Sequence, residues 1–292
     1  MKDNENKTSL RPLLAEDIPE AMKLKDAEGW NQTVKDWQVF VEGQQNINLI
    51  AELEGVTTGT VTAINYDNAV AWLGMMIVNK AFRGLGISRN LMSTTIEQLN
   101  KNNCESIKLD ATPQGRPVYV KLGFVEEYTI YRMVHQDFDK VPDINMDSGH
   151  IEPVMASHIS DIIDLDQKIF GANRSQLLKK MINNYPERSF ALIRDDQVAG
   201  FVLGRAGTRF SQIGPVMAAN DKDAIALFTT ALKTLKNQAI VIDLLEDKVQ
   251  VSDWLTSIGF ASQRPLYRMY LEKNPYPGKP DSQYAICGPE FG

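Results

Sequence analysis

Apolar residues along this chain fall into short runs whose spacing switches repeatedly between strand alternation and helical period. Leu10-Arg11-Pro12-Leu13 predicts a first strand; Ala21 and Leu24 predict a helix that Gly29-Trp30-Asn31 ends, and Val34, Trp37, Val39 and Phe40 predict a second, short helix. Residues 47–53 and 58–64, rich in β-branched side chains and separated by Glu54-Gly55, predict a hairpin. The run 71–78 is apolar throughout, which predicts a strand buried on both faces, with Gly74 marking a bulge or a close approach. A glycine-bearing loop follows, then Leu91, Met92, Ile96 and Leu99 at helical spacing. Residues 106–111 predict another strand and 112–121 a loop with a short helix ending at Gly123. Over 127–134, Tyr128, Ile130 and Arg132 alternate with Thr129, Tyr131 and Met133.

Past a turn-rich stretch the pattern starts again. Arg11-Pro12-Leu13-Leu14-Ala15 corresponds to Glu152-Pro153-Val154-Met155-Ala156 at an offset of 141, which Ile18 and Ile159, Leu24 and Leu165, and Gly59 and Gly200 share. Gly74 and Gly214 correspond at 140; Gly123-Phe124 and Tyr131-Arg132-Met133 correspond to Gly259-Phe260 and Tyr267-Arg268-Met269 at 136. Two copies of one fold are the simplest account. The sequence therefore predicts a disordered tail over 1–8, a first domain over 9–138, a linker over 139–149, a second domain over 150–273 and an extension over 274–292. That extension opens on Asn274-Pro275-Tyr276-Pro277-Gly278-Lys279-Pro280, a turn-rich connection, and continues to Tyr284-Ala285-Ile286-Cys287, which either adds a strand or lies over a domain.

The loop after the apolar strand reads Arg83-Gly84-Leu85-Gly86-Ile87-Ser88. Two glycines flanking one residue allow a tight turn that converges backbone N–H groups just where a helix begins. Such a point attracts anions. The helix start contributes roughly 0.3 to 1 kcal/mol, and a hydrogen bond from Arg83 about 1.5 to 3 kcal/mol. No third glycine completes a dinucleotide fingerprint and no Gly-Lys-Ser/Thr closes a nucleotide-hydrolysing loop. Together with Tyr119, Gly123 and Phe124 downstream, the pattern resembles the GNAT superfamily of N-acetyltransferases. The family's cofactor motif, Q/R-x-x-G-x-G/A, appears as Arg83, Gly86 and Ser88, and its later Tyr-x-x-x-Gly-Phe motif as Tyr119, Gly123 and Phe124. The resemblance spans at least 10–133; Ser88 stands where the family prefers Gly or Ala, and Thr112 where many members carry Asn.

The resemblance implies an α+β fold with two GNAT-like domains in tandem, each a mixed, mostly antiparallel sheet flanked by helices. It implies acetyl-CoA as co-substrate, its pyrophosphate on Arg83, Gly84, Leu85, Gly86, Ile87 and Ser88 and its pantetheine arm along main-chain groups of Met76, Ile77 and Val78. Tyr119 would protonate or hydrogen-bond the departing sulfur, and Trp30, Asn31 and Trp37, on the helical pair over the acceptor channel, would contact substrate. The second copy departs at these points: Ala218-Ala219-Asn220-Asp221-Lys222-Asp223 replaces the loop and Leu255 replaces the tyrosine. Carboxylates repel a pyrophosphate and a leucine donates no proton, so the second copy is expected to be a degenerate, stable domain without cofactor.

Composition narrows the picture. The chain has 292 residues, 43% hydrophobic and 23% charged, which is ordinary globular usage and enough for two cores. A net charge of −6 argues against a nucleic-acid surface and is compatible with a cationic amine. Neither a leader-like nor a membrane-spanning apolar run is visible, so the expected location is cytoplasmic, without a membrane partner. Cys104 and Cys287 are far apart and read as reduced thiols, and His135, His150 and His158 show no ligand spacing, so no metal is expected.

The leading reading is transfer of an acetyl group from acetyl-CoA to a primary amine, on a small molecule or a peptide, by a monomer or homodimer. An amine of pKa about 10.4 is neutral roughly once in 2,500 molecules at pH 7, a penalty of about 4.6 kcal/mol, so a base is needed unless the acceptor is less basic. Asp110, also a candidate substrate contact, and Glu52 are the base candidates, with helix capping and a solvent-facing position as their alternatives. A non-catalytic acyl-CoA sensor or scaffold is the alternative function, which Tyr119 disfavours; a longer acyl or aminoacyl donor is a third.

Overall fold

The computed structural model describes residues 8–143 and 149–292; most of the tail predicted over 1–8 and the centre of the linker predicted over 139–149 lie outside the described residues. The chain divides into two compact units, Met1–Lys108 and Leu109–Gly292.

The first unit contains β1 (Ser9–Pro12), α1 (Ile18–Ala27), α2 (Val34–Glu42), β2 (Ile47–Leu53), β3 (Val56–Tyr66), β4 (Val70–Val78) and α3 (Ile87–Lys101). β1 to β4 pair in sequence order, each antiparallel to the next. The hairpin between β2 and β3 turns on Glu54 (φ 51°) and Gly55 (φ 77°), the two left-handed residues that match the twist of a tight hairpin. Thr33 starts α2 with a capping box, its hydroxyl accepting from the Asp36 N–H while its own N–H donates to Asp36 Oδ2 at 2.6 Å.

β4 differs from its sequence expectation in two ways. Val70–Leu73 are buried, but Gly74, Met76 and Val78 are only half-buried, so the end of the strand buries one face and not two. The bulge lies just beyond Gly74: pairing shifts from Thr62↔Gly74 to Thr60↔Ile77, and Met75 takes φ 48° while its carbonyl accepts from Thr60 Oγ1 at 2.9 Å. A left-handed methionine is a strained position that this pairing and burial hold in place.

β5 (Ser106–Ala111) runs through the division. It is followed by α4 (Arg116–Lys121), β6 (Phe124–Phe138), β7 (His150–Pro153), α5 (Ile159–Phe170), α6 (Ser175–Asn184), β8 (Phe190–Arg194) and β9 (Gln197–Arg205). Then come β10 (Ser211–Met217), α7 (Asp221–Lys233), β11 (Gln238–Leu245), α8 (Val249–Ser257), β12 (Ala261–Leu271) and β13 (Gln283–Ala285). Their sheet order is β5-β12-β6-β11-β13-β10-β9-β8-β7, with β10 and β11 parallel over a short stretch and the other registered pairs antiparallel. This is the mixed, mostly antiparallel α+β architecture, with eight α-helices among the described residues. The last segment adds a strand, β13.

The last strands of the two sequence repeats are exchanged. β6, from the first, lies between β11 and β12, from Phe124↔Leu271 to Val134↔Ala261 on one side and from Gln238↔Phe138 to Leu245↔Ile130 on the other. β12, from the second, lies beside β5. Each exchanged strand carries one arginine to a buried aspartate. Arg132 on β6 grips Asp243 on β11 at 2.7 and 2.8 Å, and Arg268 on β12 grips Asp110 on β5 at 2.9 and 3.0 Å. The larger core of this unit gathers Leu227, Phe228 and Leu232 of α7 and Leu255 of α8 against Ile213, Val216 and Ile242 of the sheet.

Candidate active site

The loop between β4 and α3 has the conformation its glycines were expected to serve. Gly84 (φ 84°) and Gly86 (φ 76°) are both left-handed, and a Cβ added to either meets nothing within 4 Å. Backbone conformation, not crowding, therefore demands glycine here, and the space above both is open. Gly86 opens α3 directly, and no side chain caps the helix. The first-turn N–H groups around Ile87 and Ser88 thus have no intrahelical partner, and that turn carries Arg89 and no carboxylate.

Arg83 lies beside this loop but is engaged elsewhere. Its Nε donates to the Val78 carbonyl at 3.1 Å and its Nη2 to Glu28 Oε1 at 2.7 Å. Glu28 was not visible as a partner in the sequence, since it lies 55 positions away. With the Arg83 side chain 49% exposed, this pair contributes on the order of 0 to 1 kcal/mol. Met76, Ile77 and Val78 lead into the loop, Ile77 buried and the other two half-buried, and the bulge at Met75 sets the direction of their main chain.

The predicted acceptor contacts separate by burial. Trp37 is fully buried, its ring edge-on to Phe40 at 5.7 Å, and Asn31 is buried. Trp30 is half-buried, and its carbonyl accepts from the buried Lys25 Nζ at 3.2 Å. Asp110 is fully buried in its pair with Arg268, which also donates to the Tyr128 hydroxyl at 2.6 Å. Burial pushes the Asp110 carboxyl up against the opposing pull of Arg268. Both its oxygens accept from the guanidinium, so proton uptake would cost a buried ion pair. Glu52 is held by Arg11 at 2.7 Å, and Arg11 also binds Asp17. Neither base candidate is a free carboxylate.

Tyr119 sits on α4 in the second unit. In the turn before this helix the Thr112 hydroxyl accepts from the Gly115 N–H at 3.1 Å. Gly115 leaves room for the ring, because a Cβ there would lie 2.9 Å from Tyr119 Cε2. The ring packs edge-on to Phe124 at 5.9 Å, joining the two ends of the Tyr-x-x-x-Gly-Phe motif. The hydroxyl has no hydrogen-bond partner among the described residues, and burial pushes its pKa up to about 12. It is a phenol that keeps its proton throughout the neutral range.

Residues 18–138 match a model described as an acetyltransferase (GNAT) domain, and residues 162–285 match a second model of the same description. The chain carries two GNAT domains in tandem. This tandem GNAT chain is 26% identical over 269 residues to the holothin acyltransferase of Pseudoalteromonas sp. (strain SANK 73390), covering 91% of this chain and 88% of that protein. It is 28% identical over 209 residues to the uncharacterized N-acetyltransferase YitH of Bacillus subtilis (strain 168), covering 70% and 71%. In fold it is similar to a putative acetyltransferase from Pyrococcus horikoshii, with a TM-score of 0.80 at 22% identity, covering 100% of this chain and 99% of that one. A tandem GNAT protein from the clavulanic acid biosynthesis pathway gives 0.63 at 13% identity, covering 90% and 98%. Among the described residues no group of three His, Cys, Asp or Glu side chains could hold a metal ion, and no helix is long and apolar enough to cross a membrane.

Proposed function

We propose that the chain transfers an acetyl group from acetyl-CoA to a primary amine, with the donor bound by the first GNAT domain. The observation that carries this reading is the uncapped start of α3 behind two left-handed glycines with open space above them. The pyrophosphate takes the N–H groups from Gly84 to Ser88, Arg83 exchanges Glu28 for it, and main-chain groups of Met76 to Val78 pair with the pantetheine arm. The similarity to a protein named for acyl transfer to holothin, over most of both chains, supports a small-molecule acceptor.

Tyr119 supports turnover over mere binding, because an unpartnered phenol has a hydrogen bond to give to a departing sulfur. Set against a thiol of pKa near 8.5, a phenol at about 12 gives up its proton uphill by roughly 5 kcal/mol, so its part is to hydrogen-bond the developing thiolate. With Asp110 and Glu52 both held by arginines, the amine loses its proton to water, which favours an acceptor already partly neutral near pH 7, such as an α-amino group of pKa about 7.7 to 8.0.

The test is thiol release from acetyl-CoA against a panel of amines graded in pKa. Turnover with some of them supports the reading. Tight acetyl-CoA binding with no release against any of them would turn it into the sensor reading.

A further inference from the structure

In the second unit β10 and β11 begin as parallel neighbours, from Ser211↔Ile240 to Ile213↔Ile242, and then part. β13 enters the gap. Ala285 faces Val216 on one side and Leu244 on the other, and Gln283 faces Met217. The Ala218 N–H donates to the Ser282 carbonyl at 3.0 Å and the Ile286 N–H to the Asp243 carbonyl at 3.0 Å. Two diverging strands otherwise leave facing rows of N–H and C=O groups, which an extended arm bearing amides satisfies. A peptide is one such arm, and the pantetheine of an acyl-CoA is another.

The inserted segment is tied along its length. The Tyr284 hydroxyl donates to Asp221 Oδ1 at 2.8 Å in the first turn of α7. Further on, Glu290 pairs with the buried Arg205, and the Gly292 carbonyl accepts from Arg174 Nη1 at 2.6 Å while Asp166 holds that guanidinium from the other side. Gly214 leaves the space required, since a Cβ there would run into the Ile286 carbonyl oxygen. Residues 283–288 are buried without a break.

We infer that the segment 283–292, with β13 as its inserted strand and the residues after it as its anchor, occupies the slot in which the second GNAT domain would otherwise take the pantetheine arm, so that the chain binds one acyl-CoA and fills the second slot itself. This rests on the acyl-CoA reading of the first domain. The start of α7 agrees with it: Asn220 Oδ1 caps the helix by accepting from the Asp223 N–H at 3.0 Å, and the carboxylates of Asp221 and Asp223 stand where a pyrophosphate would have to.

Cys287, fully buried with its thiol 3.2 Å from Met181 Sδ, reports on the segment. The test uses the full chain with Cys104→Ser, which leaves Cys287 as its single thiol, and the same chain carrying Gly86→Asp in addition. Each is titrated calorimetrically with acetyl-CoA, and maleimide labelling of Cys287 is timed with and without saturating acetyl-CoA. The expected result is one acetyl-CoA per chain, binding weakened by about tenfold or more in Gly86→Asp. Labelling should be slower than in urea by about a hundredfold or more and unchanged by the ligand. Two acetyl-CoA per chain, or undiminished binding to Gly86→Asp with labelling of Cys287 accelerated by the ligand, overturns the inference, because the cofactor has then displaced the segment. Binding to neither protein overturns the acyl-CoA reading itself, and the inference with it.

Discussion

α3 and α7 start at corresponding places in the two GNAT domains and start in opposite ways. α3 begins on a left-handed glycine with no side-chain cap, whereas α7 begins on Asn220 in extended conformation (φ −159°, ψ 169°), which caps it. Its first turn carries Asp221 and Asp223, and Arg194 binds Asp223 at 2.9 Å. One helix start has no side-chain acceptor for its amides, and the other supplies its own. A different pair of glycines shows what both domains keep. A Cβ on Gly59 would lie 2.7 Å from the Ile77 carbonyl and 3.3 Å from Leu91; on Gly200 it would lie 2.8 Å from the Met217 carbonyl and 3.3 Å from Leu227. The glycine that lets neighbouring strands approach is retained in both, and the left-handed pair Gly84 and Gly86 before the helix is present in the first alone. Packing is shared, and the way the following helix starts is not.

The shared part can be broken first. Arg268→Met leaves Asp110 buried without its guanidinium, and Arg132→Met does the same to Asp243; each should destabilise the chain by about 3 to 5 kcal/mol, read from urea unfolding midpoints. If both pairs lock exchanged strands equally, the two losses agree within about 1 kcal/mol, and adding Asp110→Asn to Arg268→Met recovers part of the first.

Turnover separates the domains next. Tyr119→Phe should lower kcat by about a hundredfold or more while leaving the KM for acetyl-CoA within about twofold, since a lost hydrogen bond to sulfur acts on the chemical step. Equal turnover would remove Tyr119 from the mechanism. The two helix starts are then compared directly. Gly86→Ala imposes a left-handed alanine and should weaken acetyl-CoA binding by about tenfold, whereas Asn220→Gly should leave it unchanged and cost only a few tenths of a kcal/mol in stability. Weakened binding in Asn220→Gly would move the cofactor to the second domain.

The smallest expected effect is in the pH profile. With both base candidates, Asp110 and Glu52, held by arginines, kcat/KM should rise with pH until the acceptor amine is neutral and then level off. Burial raises the Tyr119 pKa to about 12, so the protonated, active form of the phenol persists through pH 10 and causes no descending limb below it. A fall beginning near pH 8 would point to another acid.

The glycine loop, the Glu54-Gly55 hairpin and the repeat were all legible in the residue order, because each depends on local backbone demands or on short-range periodicity. The matching Tyr-Arg-Met triplets at 131–133 and 267–269 were visible too, but not what their arginines bind. Asp110 read as a helix cap or a base, and its partner stands 158 positions away. Trp37 read as a candidate contact because an exposed and a buried tryptophan leave the same mark on an amphipathic helix, and only packing against Phe40 distinguishes them.

Residue order alone was therefore enough to predict two copies of one α+β fold, which the two matched GNAT domains bear out, and the left-handed glycines of the loop that opens the first copy's helix. Glycine at positive φ and the period of apolar positions are properties of a few consecutive residues. The exchange of β6 and β12, the Met75 bulge, the Glu28 partner of Arg83 and the insertion of β13 between β10 and β11 were decided only in the folded chain. Strand pairing joins backbone groups that are alike in every residue, so which strand fills a gap depends on what else competes for it, and that competition exists only once the chain is assembled.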